Sequence, residues 1–357
     1  MLQIDSAAVL DAQSSSRAPK KRRAPTRSDE AQNPRKSIEI QPLPRWVTAG
    51  ARAEGDKPDR AADAQFFAGA ALARLDDILR SGEGGDEPPF SGALRQRLAL
   101  RAATACATLC RLREDAPALR DAEHLAGSGE TSPAGRLHRV FRLYASLPAR
   151  LDAALARAVG LLGLKEAIAA GALANVVAAA PDPLLSAAHA SAAAMRLCAP
   201  AADAEIFAFV VADLVLANRL GWARPVPLIA VAILHPSLRR GAGARESERV
   251  RRPRPMDDDW AESVARAYGL AVVDAHALAV DLARRADKLL AVVPALRARG
   301  ARRVVDMLLA DDAVTPAATA SRAGLSDRAA RRLFDRLVML DAVRELTGRE
   351  TFRIYGL

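Results

Sequence analysis

At 357 residues the chain exceeds one average domain and points to about two. Half of the residues are apolar but only 4% are aromatic, so the core has to be built mainly from Ala, Leu and Val. The net charge of +10 suggests a polyanionic partner, yet the excess lies in two stretches. Residues 17–36 carry eight basic side chains against Asp29 and Glu30, a net of +6, and Arg239 to Pro255 carries seven Arg against Glu246 and Glu248, a net of +5. The remainder is close to neutral, and a basic tail raises encounter rates with a polyanion without being a specific site. Abundant Ala favours helix, and strand-favouring residues are sparse before the last twenty positions, which excludes a sheet-rich fold and predicts a mostly α protein. The three cysteines, Cys106, Cys110 and Cys198, make no disulfide framework and predict a reducing, cytoplasmic setting. No basic-then-apolar run stands in the first residues, so a secretory signal peptide is not expected. The most apolar run, Ile206 to Leu216, is about half the length of a membrane helix and is interrupted by Asp213, so a membrane partner is not expected.

In chain order, residues 1–60 lack helical or strand periodicity and read as a basic disordered tail. Within it, Pro42-Leu43-Pro44-Arg45-Trp46-Val47 is a candidate docking segment, for the protein's own body or for a partner. A helical bundle follows over 61–238. Its first helix carries Phe66, Phe67, Ala70, Leu72, Leu75, Ile78 and Leu79 at spacings of three and four. A second covers Ser91 to Glu114. Others run over about 134–146, 148–162, 164–180, 183–198 and 203–220, punctuated by Pro148, Pro181, Pro183 and Pro200. Pro225 to Leu238 reads as a short, very apolar helix. A basic loop over 239–256 leads to a long helix packing on the bundle, 257–300, opened by Asp257, Asp258 and Asp259.

Most candidate chemistry in these helices has a plainer explanation. Cys106 and Cys110 stand at i, i+4, but zinc needs about four ligands and no histidine lies near them in sequence. His124, His138, His189, His235 and His276 form no metal-binding spacing. The acids at 257–259 suit a helix N-terminus better than a cation. Gly82, Gly84 and Gly85 are followed by proline rather than by a phosphate-binding Lys-Ser pair, and no G-x-S-x-G elbow exists. No metal, no cofactor and no catalytic residue is therefore expected. The remaining enzyme reading is an unfamiliar polar site on the long helix, around Asp274, Asp281 and Arg285.

The C-terminal segment, 301–357, reads as a winged helix-turn-helix. A helix at Arg302 to Leu309 precedes a twenty-residue helix-turn-helix from Pro316 to Asp335. There Ala320 packs under the turn, Gly324 supplies the permissive backbone and Ser326 caps the second helix. Strands over Ala342 to Thr347 and Thr351 to Tyr355, joined at Gly348, form the wing. Ser326, Arg328, Arg331 and Arg332 project away from Leu325, Ala330 and Leu333, where a recognition helix meets duplex DNA, with Arg349 and Arg353 at the wing. Residues 324–357 hold seven Arg against five acids, a net of only +2, which predicts weak binding by one module.

Several segments carry a resemblance to a known family. Phe66-Phe-Ala-Gly-Ala-Ala-Leu72, Leu94-Arg-Gln-Arg-Leu-Ala-Leu-Arg-Ala102, Ala212-Asp-Leu-Val-Leu-Ala-Asn-Arg-Leu-Gly-Trp222 and Leu325-Ser-Asp-Arg-Ala-Ala-Arg-Arg-Leu-Phe-Asp-Arg-Leu337 resemble the bacterial domain-of-unknown-function family numbered 1403, from about Pro42 to the end. That family implies no activity. The run from Leu337 to Tyr355 is similar to the winged-helix tail of Fic-type proteins, with Asp341 replacing the usual Gly. The segment from His235-Pro236 to Arg245 faintly resembles a Fic-type catalytic loop, but Arg stands where the metal-holding acid belongs and the Asn is absent. The expected function is a DNA-binding regulator or accessory factor. The competing expectation is an adaptor whose partner is a protein or a second copy of itself.

Overall fold

Ala- and Leu-rich stretches separated by Pro and Gly can bury their apolar faces only against one another, and the computed structural model shows that arrangement. It describes residues 38–52, 60–125, 132–150, 158–164, 180, 182–198, 203–239, 251–296 and 300–357. The helices are α1 (Arg45–Arg52), α2 (Arg60–Leu79), α3 (Ser91–Leu109), α4 (Ala116–His124), α5 (Pro133–Ser146), α6 (Pro183–Cys198), α7 (Ala204–Leu220), α8 (Ile229–Ala232), α9 (Trp260–Val292), α10 (Ala301–Ala310), α11 (Pro316–Ala323) and α12 (Asp327–Met339). Two short strands, β1 (Arg344–Glu345) and β2 (Tyr355–Gly356), pair antiparallel near the end. From Ser37 onward the chain is one compact unit.

The 33-residue α9 is the spine, packed by α1, α2, α3, α6 and α8. Helix α7 lies deeper, and every residue from Ile206 to Ala217 is buried. A helix apolar on all sides belongs in a core, and none of the helices is long and apolar enough among the described residues to cross a membrane.

Asp213 sits in the middle of α7 with 1% of its surface exposed, where an ion is costly unless donors surround it. The Tyr144 hydroxyl of α5 donates to it at 3.0 Å, and the amides of Leu228 and Ile229 donate at 3.0 and 3.2 Å. The Tyr268 hydroxyl of α9 stands beside the same carboxylate, outside hydrogen-bond geometry. Burial pushes the Asp213 carboxyl up to about 7, although the donors pull the other way.

Several elements differ from the sequence pattern. Pro225 to Leu238 is no continuous helix: only Ile229–Ala232 and a 3-10 turn at Pro236–Leu238 are helical. Its backbone is claimed from outside, the Leu228 and Ile229 amides by Asp213 and the Pro225 carbonyl by Arg95 at 3.1 Å. The second helix stops at Leu109, after which Arg111 turns with φ 58°. A separate helix, α4, then starts behind Asp115, whose carboxylate accepts from the Ala118 amide at 2.9 Å. Helix α9 begins at Trp260 because Asp257 instead accepts from Arg251 and from the Arg254 amide. Helix α1 falls inside the stretch without periodicity. Val47 and Ala51 are buried there, Trp46 stacks on Phe66 at 5.6 Å, and the Gln41 carbonyl meets His276 at 2.9 Å. Of the segments expected at 148–162 and 164–180, only 148–150, 158–164 and 180 lie within the described residues.

A titration follows from Asp213. Its folded value lies above the ordinary value of 3.8, so the folded state holds a proton that the unfolded chain has released between these two values. Stability should therefore fall as pH rises from about 4 to about 7, by up to about 4 kcal/mol, and level off above. Urea unfolding at stepped pH should show this slope in the parent and a flatter one in Asp213→Asn. Equal slopes would mean that the carboxylate is solvated or already ionised when folded.

Candidate nucleic-acid interface

The C-terminal elements are tied to the bundle at the short connection after α10, and again by the Arg349–Asp121 and Lys288–Asp341 ion pairs. Helix α10 ends at Ala310, pressed on the start of α3 at Gly92, where a Cβ would come within 2.7 Å of the Ala310 Cα. Only glycine permits that approach. Asp311 and Asp312 follow at once. Arg142 of α5 grips Asp311 with two parallel bonds of 2.9 and 2.8 Å. Asp312, with a side chain 3% exposed, accepts from Arg97 of α3 at 2.7 Å and from Arg120 of α4 at 2.9 Å. Burial alone would raise the Asp312 carboxyl, but the two guanidinium groups outweigh it and hold it below 3.8. Arg97 also donates to the Leu357 carbonyl at 3.2 Å, so the clamp holds both ends of the C-terminal segment.

Beyond the clamp, Val314 bridges to Tyr355 through amide–carbonyl bonds of 2.8 and 2.9 Å. The Tyr355 ring stacks on Phe334 of α12 at 4.5 Å. Thr315 caps α11, its hydroxyl accepting from the Ala318 amide at 3.2 Å, and Gly324 ends that helix with φ 67°. Ser326 then caps α12 by accepting from the Ala329 amide at 3.2 Å. These are local bonds between neighbouring residues, and they set the turn between the two helices.

Helix α12 is strongly two-sided. Ala330, Leu333, Phe334 and Leu337 are buried, while Arg328, Arg331, Arg332, Asp335 and Arg336 are exposed. The three arginines expected from the sequence share this outer face with Arg336, and none of the four has an ion-pair partner among the described residues. Arg336 is a member the sequence reading omits, although its i+4 relation to Arg332 was there to be read. Ser326 is exposed and engaged as the cap.

The loop that follows is arranged differently from the expected hairpin. The strands are two residues each, at 344–345 and 355–356, extended by one bond from the Leu346 amide to the Ile354 carbonyl at 2.8 Å. The Glu345 carboxylate collects the Thr347 and Gly348 amides, both at 2.7 Å, together with the Thr347 hydroxyl. Those amides are thus withdrawn from a longer ladder. Arg349 is exposed but ion-paired with Asp121 of α4 at 2.6 Å, and Arg353 donates to the Arg349 carbonyl at 3.0 Å. Arg328, Arg331 and Arg332 are brought together on one helix; Arg349 is engaged with the bundle.

The other candidate chemistry stays dispersed. Asp274 is exposed, Asp281 is bonded to Arg284 at 2.7 Å and to Arg285 at 2.6 Å, and Arg219 reaches the Ala180 carbonyl at 3.4 Å. Cys106 is buried and Cys110 exposed, and burial raises both thiols above their ordinary value. No group of three or more His, Cys, Asp or Glu side chains is placed to hold a metal ion among the described residues. The His235 ring accepts from the Ser237 amide, capping the 3-10 turn. The rest of the loop to Arg245 lies beyond the described residues, apart from Arg239.

Removing Asp312 strands two largely buried guanidinium groups, a loss of about 3 kcal/mol. Asp312→Ala should lower the urea midpoint accordingly and hasten hydrogen exchange through α11 and α12. A change under about 0.5 kcal/mol, the level of an exposed pair, would show that the clamp is not what holds the segment.

Among curated proteins none matches this chain. One family model spans residues 31–357, and with that coverage the chain belongs to the family described as "Protein of unknown function (DUF1403)".

Proposed function

We propose that residues 301–357 are a winged helix-turn-helix and that the protein is a DNA-binding regulator or accessory factor acting through α12. One observation carries this reading: the outer face of α12 presents Arg328, Arg331, Arg332 and Arg336 without ion-pair partners among the described residues, directly after a Ser-capped tight turn. Helices placed in this way enter the major groove with the residues of their first turns against base edges and phosphates. The element order supports it: α10, the Val314 bridge, α11, α12, β1 and β2. With Arg349 tied to Asp121, the reading rests on the helix more than on the loop. The net of +2 over residues 324–357 makes a single module a weak binder at physiological salt, so the basic N-terminal tail or a second copy supplies the remainder.

A second reading has an observation of its own. Val338 and Met339 at the end of α12, and Phe352 in the loop, are exposed, Phe352 by 73%. An adaptor docking a protein on this face would use them. They are three apolar residues beside the four exposed arginines of α12, which favours the nucleic-acid reading.

Gel retardation of random-sequence duplex tests the choice. Arg331→Ala with Arg332→Ala should weaken retention by no more than a few kcal/mol and flatten the salt dependence by about two charges. No retardation of any duplex by the parent protein near 50 mM salt would defeat the DNA reading and leave the adaptor.

A further inference from the structure

Next to the clamp lies a cavity of about 580 Å³, within the range of small-molecule sites. Leu143 and Leu161 supply apolar wall, and Glu123, Arg139 and Arg142 supply charge. The charged groups are unequally committed. Arg142 gives both terminal nitrogens to Asp311 and its Nε lies 3.5 Å from Glu123. Arg139, its side chain 43% exposed, makes one longer bond of 3.3 Å to Glu123. A guanidinium has five N–H donors, so Arg139 retains donors for an incoming anion.

We propose that this cavity is an effector site for a small amphipathic monocarboxylate, and that filling it loosens the hold of Arg142 on Asp311. The ligand's apolar body lies against Leu143 and Leu161, and its carboxylate is received by Arg139. That places a second anion beside Arg142, where it competes with Asp311 for the same guanidinium. Because Asp311 precedes the clamped Asp312 and the helices beyond it, occupancy at the cavity is felt at α11 and α12. Regulation of DNA binding rests on the function proposed above; ligand binding and the loosening do not.

Gly160 lines the cavity and a Cβ built there meets nothing within 4 Å, so Gly160→Phe serves to place a ring in the space the ligand would take. The half-exposed Arg139 allows Arg139→Gln at little risk to folding. Calorimetry of the full chain with 4-phenylbutyrate should show millimolar or tighter binding, weakened at least tenfold in each variant. Hydrogen exchange of residues 311–357 should quicken with the probe in the parent and not in Gly160→Phe. Absence of binding to the parent, or unchanged binding in both folded variants, overturns the site. Binding lost in the variants with no change in exchange overturns the coupling. Duplex retardation is measured separately, so its failure bears on the function alone.

Discussion

Asp311 and Asp312 are gripped by three arginines from three helices, and the segment that follows is anchored to the bundle at that grip. The arrangement is costly to disturb because the groups are largely out of water: Asp312 is 3% exposed, and Arg97 and Arg120 are 16% and 18% exposed. A buried pair of this kind adds little net stability compared with apolar packing, but losing one partner leaves charges with no solvent to receive them. Its physical effect here is positional. Arg142 fixes Asp311 with two parallel bonds, Arg97 ties Asp312 to the terminal Leu357 carbonyl, and the Val314–Tyr355 bridge closes the loop between them. Helix α12 is oriented by these bonds together with the Phe334–Tyr355 stack.

The bundle that carries the clamp is made from small side chains, which allow close helix approach but give few specific contacts. The scarce aromatic and polar groups sit at the joints. Phe209 of α7 stacks with Trp260 at 6.5 Å, and Trp260 also donates to Ser191 of α6 at 2.9 Å. Asp213 gathers donors from α5 and from the start of α8. An Ala-rich core would otherwise tolerate sliding of one helix on another, and these joints select one register. The same economy leaves the cavity beside α5, where Gly160 has no side chain to fill it.

What could be read in the sequence is what neighbouring residues decide. Thr315 before Pro316, Gly324 and Ser326 mark the bounds of α11 and α12 because caps act over three or four positions. The spacing of Ala330, Leu333 and Leu337 gives the inner face of α12 for the same reason. The long-range partners have no local signal: Asp312 lies 215 positions from Arg97, and Asp311 lies 169 from Arg142. Misread segments share this cause. Pro225 to Leu238 has a helical composition, yet Asp213 and Arg95 claim its backbone groups from elsewhere. The expected strands shrink because Glu345 captures two amides of the turn. Helix α4 is the exception, since the Asp115-x-Pro117 start was visible and the helix is simply short.

The exposed face of α12 is the surface proposed to meet DNA. Site-specific photocrosslinking tests it most directly. A diazirine side chain placed at position 335, between Arg332 and Arg336 on that face, is compared with one at the exposed position 280 of α9. With random-sequence duplex at low salt, irradiation should attach DNA at position 335 and not at 280. Retarded duplex that crosslinks at neither position, or equally at both, would contradict the claim and place the contact outside α12.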